Sequence, residues 1–167
     1  MSFDATCQLL KDRFGADSIT TSEFRDNQRI HVPAGRLFEM LSVLKEEAGF
    51  NQLAELGGAD YLNYPGARDR FGLWYILLDI DTGERVVIKT FLNEPDLTIA
   101  SVFPLWKGAD WMEREVYDMY GIAFSGHPDL TRILMPEEFT SYPLRKDYPL
   151  RGRGERHNFP VLNRADS

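Results

Sequence analysis

The chain changes character at Gly121. Upstream, hydrophobic residues recur with helical or strand periods. Across the 47 residues 121–167 neither period is present, and five of the nine prolines fall there: Pro128, Pro136, Pro143, Pro149 and Pro160. Proline removes a backbone donor and fixes φ, so no long helix or central strand runs through this part. Yet residues 121–150 hold 12 hydrophobic side chains in 30, or 40%, against 43% for the whole chain. A solvated disordered tail is poorer in such residues, and a 30-residue structureless loop is rare inside a compact domain. The expectation is therefore an α+β domain over residues 1–120 and an extended irregular C-terminal arm over 121–167. The arm either docks on another surface or folds back on its own sheet. Interleaved Arg132, Arg145, Lys146 and Asp147 suit a polar rim around apolar anchors.

The upstream part reads as helix, two strands, helix, and then a run of strands. Phe3, Cys7, Leu10 and Phe14 form one helical face, with Gly15 as its stop. Residues 19–24 and 29–32 read as short strands around a turn at Asp26-Asn27, and Pro33 opens a helix whose buried stripe is Leu37, Leu41, Leu44 and Ala48, ended by Gly49. Segments 52–64, 73–80 and 85–92 are rich in β-formers, and Asp81-Thr82-Gly83 is the clearest hairpin turn. Along the middle segment Ile76, Leu78 and Ile80 share one face and Leu77 and Asp79 the other, so one side packs under the helices. This order predicts an α+β layer with a mostly antiparallel sheet and helices on one face. A third helix is expected over 106–120, N-capped by Asp110, with Met112, Val116 and Met119 inward and ion pairs Asp110–Arg114 and Arg114–Asp118 four residues apart.

Composition excludes several function classes. No apolar run approaches the ~20 residues of a membrane-spanning helix. The start, MSFDATCQLL, has neither the basic region and apolar core of a secretory signal nor the Arg-rich form of a transit peptide, so a cytoplasmic chain is expected. Cys7 is the single cysteine, which leaves no internal disulfide and no cysteine-ligated iron–sulfur cluster. The net charge of −7 argues against nucleic acid as a partner. It is divided unevenly: 12 basic against 20 acidic residues over 1–120, and 7 against 6 over 121–167.

No catalytic or metal constellation is expected. Glu113 and Glu115 stand two apart on the third helix and so diverge, which favours structural salt bridging over a paired acid/base or metal site. His31, His127 and His157 lack a second His or Cys at ligand spacing. In Gly126-His-Pro-Asp, an ordering hydrogen bond is the expected role of His127. Cys7 belongs to a packed face, the run Arg151-Gly-Arg-Gly-Glu-Arg reads as a solvated tail, and Gly57-Gly58 lacks the rest of a phosphate loop.

The strings Trp111-Met-Glu-Arg-Glu-Val-Tyr-Asp-Met-Tyr-Gly-Ile, Gly126-His-Pro-Asp-Leu, Arg132-Ile-Leu-Met-Pro-Glu and Pro143-Leu-Arg-Lys-Asp-Tyr-Pro, in this order, strongly resemble the 30-kilodalton subunit family of NADH:quinone oxidoreductase, or respiratory complex I, also called its C-subunit family. The resemblance is looser upstream, where Leu97-Thr98-Ile99, Ser101-Val102 and Trp106 fit. Departures are Thr131 at a usually basic position, Ala100 where proline is common, and Ser141-Tyr142-Pro143. The resemblance implies an accessory subunit of the hydrophilic arm that binds no cofactor. FMN and iron–sulfur clusters would sit in partner subunits, and quinone would be the substrate of the complex. It further implies that the chain sits at the cytoplasmic face of the inner membrane, touching the membrane only through the complex. The implied partners are chiefly the quinone-site D-subunit and neighbouring iron–sulfur subunits; ferredoxin-linked NDH-1 and membrane-bound hydrogenases are the alternative settings. On this reading the partner interface is expected at Glu113, Arg114, Glu115, Asp118, His127, Pro128, Arg132, Leu134, Arg145, Lys146, Asp147 and Tyr148.

Overall fold

The computed structural model describes residues 1–25 and 27–159. Pro160 and the residues after it lie outside the described set, as does Asp26 of the expected first turn. Helix α1 (Phe3–Phe14) starts at Ser2, whose hydroxyl accepts from Ala5 N–H at 3.4 Å, and stops at Gly15, whose φ of 102° suits glycine. Strands β1 (Thr20–Phe24) and β2 (Asn27–His31) pair antiparallel. After Pro33, a single 3-10 turn leads into α2 (Leu37–Glu46), where Leu37, Met40, Leu41 and Leu44 are buried.

Strands β3 (Gln52–Asp60), β4 (Phe71–Leu78) and β5 (Arg85–Leu92) complete a sheet of order β1-β2-β5-β4-β3, antiparallel except where β2 meets β5. The expected hairpin is present: Asp79 carboxylate oxygens accept from the N–H groups of Asp81 and Thr82 and from the Thr82 hydroxyl, and Gly83 takes a φ of 75°. The expected segment 52–64 ends early as a strand, because Asp60 turns the chain by accepting from Leu62 N–H at 2.9 Å. On β4 the helix-covered face carries Phe71, Leu73, Tyr75 and Leu77, all fully buried, whereas Ile80 is 63% exposed. The opposite face bears Trp74 and Ile76 with Lys89 and Phe91 of β5, and among the described residues no helix covers it.

Past the sheet come β6 (Thr98–Ala100), α3 (Ala109–Tyr120) and β7 (Ala123–Ser125), with β6 and β7 paired parallel. Two expectations are corrected here. Regular structure does not end at Gly121: β7 lies in the expected irregular stretch, and Ile122 and Phe124 are part of the core. A three-residue strand is too short to show a period. Helix α3 begins at Ala109, not 106, with Gly108 at its cap and Asp110 inside the first turn; residues 102–109 are instead drawn into turns in which Trp106 N–H reaches Val102 O at 3.0 Å and Ala109 N–H reaches Trp106 O at 3.0 Å. Gly121 closes α3 at a φ of 77°, where an added Cβ would lie 2.5 Å from the Tyr142 ring. Among the described residues, no helix is long and apolar enough to cross a membrane.

The side of β4 that packs is open to direct test. Leu77→Ala removes a fully buried side chain and is expected to cost about 2–5 kcal/mol in urea unfolding, while Ile80→Ala should stay within about 0.5 kcal/mol of the parent.

Candidate functional site

Three fixings, two of them built on buried acids of α3, hold the segment that follows this helix. The first surrounds Glu113. Its carboxylate is fully buried, accepting from the Ser101 hydroxyl at 2.6 Å and from Val102 N–H at 2.7 Å. Close by, the His127 imidazole is wholly enclosed, with Nε2 3.9 Å from Glu113 Oε2 and 3.5 Å from Asp110 Oδ1. Asp129 N–H donates to His127 Nδ1 at 3.1 Å, which orders the turn as its sequence suggested and leaves Nε2 to face the Asp110 carbonyl at 3.3 Å. Burial pushes the Glu113 carboxyl up to about 7, against the lowering pull of Ser101 and Val102. The salt bridging expected of Glu113 is therefore replaced by neutral hydrogen-bond donors. Glu115 lies on the exposed side of the same helix, so the two glutamates do not converge on one site.

The second fixing is at Asp118, also fully buried. One carboxylate oxygen accepts three consecutive backbone N–H groups, from Ile133 at 3.1 Å, Leu134 at 2.7 Å and Met135 at 2.9 Å, and the other pairs with Arg132 at 2.7 Å. Burial alone raises this carboxyl, but the Met135 and Leu134 N–H groups, the Arg132 guanidinium and the Ile133 N–H outweigh it and hold it below its ordinary value. Arg132 also donates to Ser141 O at 3.1 Å, carrying the hold further down the chain. Neither expected pair within α3 forms. Arg114 instead donates to Thr131 O at 3.0 Å and Thr131 Oγ1 at 2.8 Å. Exposed pairs four apart contribute only a few tenths of a kcal/mol, so these tertiary acceptors prevail.

The third fixing ties residues 145–147 to one end of the sheet. Arg70 contacts three carboxylates: Asp60 at 3.2 Å, Glu94 at 2.6 Å and Asp147 at 2.8 Å. Arg145 reaches Glu94 at 3.1 Å and Tyr120 O at 2.6 Å, and Lys146 N–H donates to Asp60 at 2.8 Å while its side chain stays exposed. Burial raises the Asp60 carboxyl, but the bonds from Lys146 N–H, Arg70 and Leu62 N–H leave it lowered on balance. Sequence reading missed Asp60, Arg70, Glu94 and Ser101. Asp60 and Lys146 lie 86 positions apart, so no local spacing signals their contact.

Of the remaining expected interface positions, Pro128 is exposed, Tyr148 packs edge-on against Phe139 with centroids 5.7 Å apart, and Leu134 is 59% exposed although its N–H is held by Asp118. Leu144 and Leu150 are likewise exposed. Apart from Glu115 and Lys146, the charged side chains expected at the interface thus bond within the chain, and several apolar ones face outward. Among the described residues, no group of three or more His, Cys, Asp or Glu is placed to hold a metal ion.

The α+β sheet domain is a known protein fold, represented among solved structures. It is found in Nqo5, whose trypsin-resistant fragment 1–134 superposes with a TM-score of 0.68 at 33% identity, covering 75% of this chain and 99% of that one. Residues 30–154 match the family described as respiratory-chain NADH dehydrogenase, 30 Kd subunit, and the chain belongs to that family. Among its relatives, the NADH-quinone oxidoreductase C-subunit of Citrifermentans bemidjiense is 41% identical over 143 residues, 86% of this chain and 87% of that protein. The C/D-subunit of Pseudomonas aeruginosa is 40% identical over 150 residues, 85% of this chain but 25% of that longer protein. A chain of the membrane-bound sulfane sulfur reductase, an archaeal respiratory membrane complex, shares the fold with a TM-score of 0.72 over 96% of this chain and 92% of that one, at 23% identity.

Two outcomes test the geometry. The folded state holds a proton on Glu113 up to about pH 7, whereas the unfolded chain releases it near pH 4.5, so stability from this group is complete below about 4.5 and is lost as pH rises towards 7. Glu113→Gln should flatten that part of the stability–pH curve, by on the order of 3 kcal/mol between its ends. Asp118→Ala strands a guanidinium and three N–H groups; it should destabilise by about 3 kcal/mol or more and expose Arg132 to trypsin, read by limited proteolysis.

Proposed function

We propose that this chain is an accessory subunit of the hydrophilic arm of an NADH:quinone oxidoreductase, with no redox centre of its own. It scaffolds the quinone-site D-subunit while electrons pass from NADH through FMN and iron–sulfur clusters in neighbouring subunits to quinone, coupled to proton translocation. Its place is peripheral, at the cytoplasmic face of the inner membrane, with membrane contact only through the complex. The observation that carries this reading is the relative named as a C/D-subunit, in which sequence of this kind makes up a quarter of a longer polypeptide. Covalent joining raises the effective concentration of two modules for each other, and it keeps both working only if they can stand side by side. A lone buried cysteine agrees with electron carriers lying on other chains.

The division of labour within the chain follows from the three fixings. The sheet domain through β7, with Ile122 and Phe124 in its core, supplies a stable body, the segment after β7 supplies the docking arm, and the ion pairs along the arm set its course before any partner arrives. Preorganisation of this kind lowers the ordering cost of association. The exposed Leu134, Leu144 and Leu150 then serve as apolar anchors, rimmed by Glu115, Lys146 and Asp147. The fold shared with the sulfane sulfur reductase chain supports a second reading, the same role in a ferredoxin-linked or hydrogenase-type complex. The electron-input subunits that copurify distinguish the two.

Leu134→Asp, Leu144→Asp and Leu150→Asp combined in the full chain should leave its melting temperature nearly unchanged and abolish its copurification with the quinone-site partner. Retention of the triple variant in the complex at parental yield would refute the docking role of the arm. A truncation offered for the same purpose has to spare Ile122 and Phe124, which belong to the core.

A further inference from the structure

The helix-free face of the five-stranded sheet carries a feature that the arm does not explain. The connection after β3 folds over this face and closes a groove with a cavity volume of about 390 Å³. Its walls are Tyr61, Tyr64 and Phe91, and its charges are Arg29, Arg68 and Lys89 against the single acid Asp69, which accepts from Asn93 at 2.6 Å. A second hollow of about 300 Å³ continues across β4 and β5 and shares Arg29, Tyr61 and Lys89 with the first. The Lys89 ammonium lies 5.5 Å from the centroids of both Tyr61 and Phe91 and donates to the Tyr61 hydroxyl at 3.2 Å. Among the described residues, no carboxylate forms a salt bridge with Arg29, Arg68 or Lys89. Burial first, and then the charges of Lys89 and Arg29, lower the pKa of neighbouring His31, as a locally positive face requires.

Charge decides which occupant fits. The chain as a whole carries −7, so an anionic bilayer or a nucleic acid meets net repulsion before it reaches three cations in a groove. A short polypeptide segment meets only the local field. Its carboxylates can pair with Lys89 and the arginine forks, while its apolar side chains lie against Tyr61, Tyr64 and Phe91. Two hollows running on from one another suit an extended segment better than a compact small molecule.

We propose that the groove between the β3–β4 connection and the open sheet face seats an acidic, partly apolar segment of a neighbouring protein subunit, with its carboxylates on Arg29 and Lys89. This is a second contact surface, lined by none of the three exposed leucines of the arm, and it rests on the reading of the chain as one component of a larger assembly. The native complex is treated with a zero-length carbodiimide, which joins an amine to a carboxylate already in contact with it, and cross-linked peptides are sequenced by mass spectrometry. The expected result is an amide between Lys89 and an Asp or Glu of another protein in the complex, together with acetylation of Lys89 by an N-hydroxysuccinimide ester slowed by about tenfold relative to the isolated chain. A complex in which Lys89 forms no cross-link and acetylates as fast as in the isolated chain overturns the groove assignment alone. Slowed acetylation without any cross-linked peptide also overturns it, in favour of a small anion. A native chain that copurifies with no partner overturns the assembly reading as well. As a second measurement, Lys89→Glu in the full chain should keep its melting temperature and lose retention in the complex as salt is raised; unchanged retention counts against the proposal.

Discussion

The carboxylate of Asp118 is the point on which the rest of the structure depends. It sits in the last turn of α3, a position where the unpaired carbonyls of a helix make a negative charge unfavourable, and that turn contains no basic residue to offset it. Fully buried, the carboxylate is tolerated only because three successive backbone N–H groups and one guanidinium converge on it. All four come from residues 132–135. The helix therefore needs the segment that follows it, and that segment, broken by prolines and unable to satisfy its own backbone, needs the helix.

From that point the chain's course is determined stepwise. Gly121 turns it away from α3 in a conformation that also leaves space for the Tyr142 ring, so the return of the chain is built into the helix end. Arg132 extends the hold to Ser141, and Arg145 closes onto the carbonyl of Tyr120. Arg70 then collects carboxylates from the end of β3, from Glu94 and from Asp147, linking residues far apart in sequence. These polar groups bond within the chain. They hold the arm, and the arm displays leucines.

Glu113 and Asp118 show how one helix places two buried acids in opposite electrostatic states. Asp118 meets a guanidinium and remains charged. Glu113 meets a hydroxyl, one N–H and the His127 ring but no guanidinium, and burial raises its pKa towards neutrality. A raised carboxyl of this kind resembles a catalytic acid, yet it faces the packed interior between β6 and the turn at His127 with both oxygens occupied. Of the two glutamates that look most enzyme-like in the sequence, Glu113 is bonded into the packed interior and Glu115 is exposed, so the two share no site.

The sequence by itself determined the order of elements from α1 to β5 and the presence of α3, the hairpin at Asp79–Gly83, the stops at Gly15 and Gly121, and the family to which the chain belongs. These are local matters, written in periodicity, in glycine at positive φ, and in strings of adjacent residues. It also separated Glu113 from Glu115, because two residues two apart on a helix must diverge. Only the tertiary structure decided which face of β4 is buried, since alternation marks two faces without saying which one the helices cover. It alone decided that β6 and β7 pair, that Arg114 turns to Thr131 instead of its helix neighbours, and that Asp60 and Arg70 receive the arm. Those choices depend on contacts between residues tens of positions apart, and a buried charge selects its partner by desolvation, which exists only once the chain has folded.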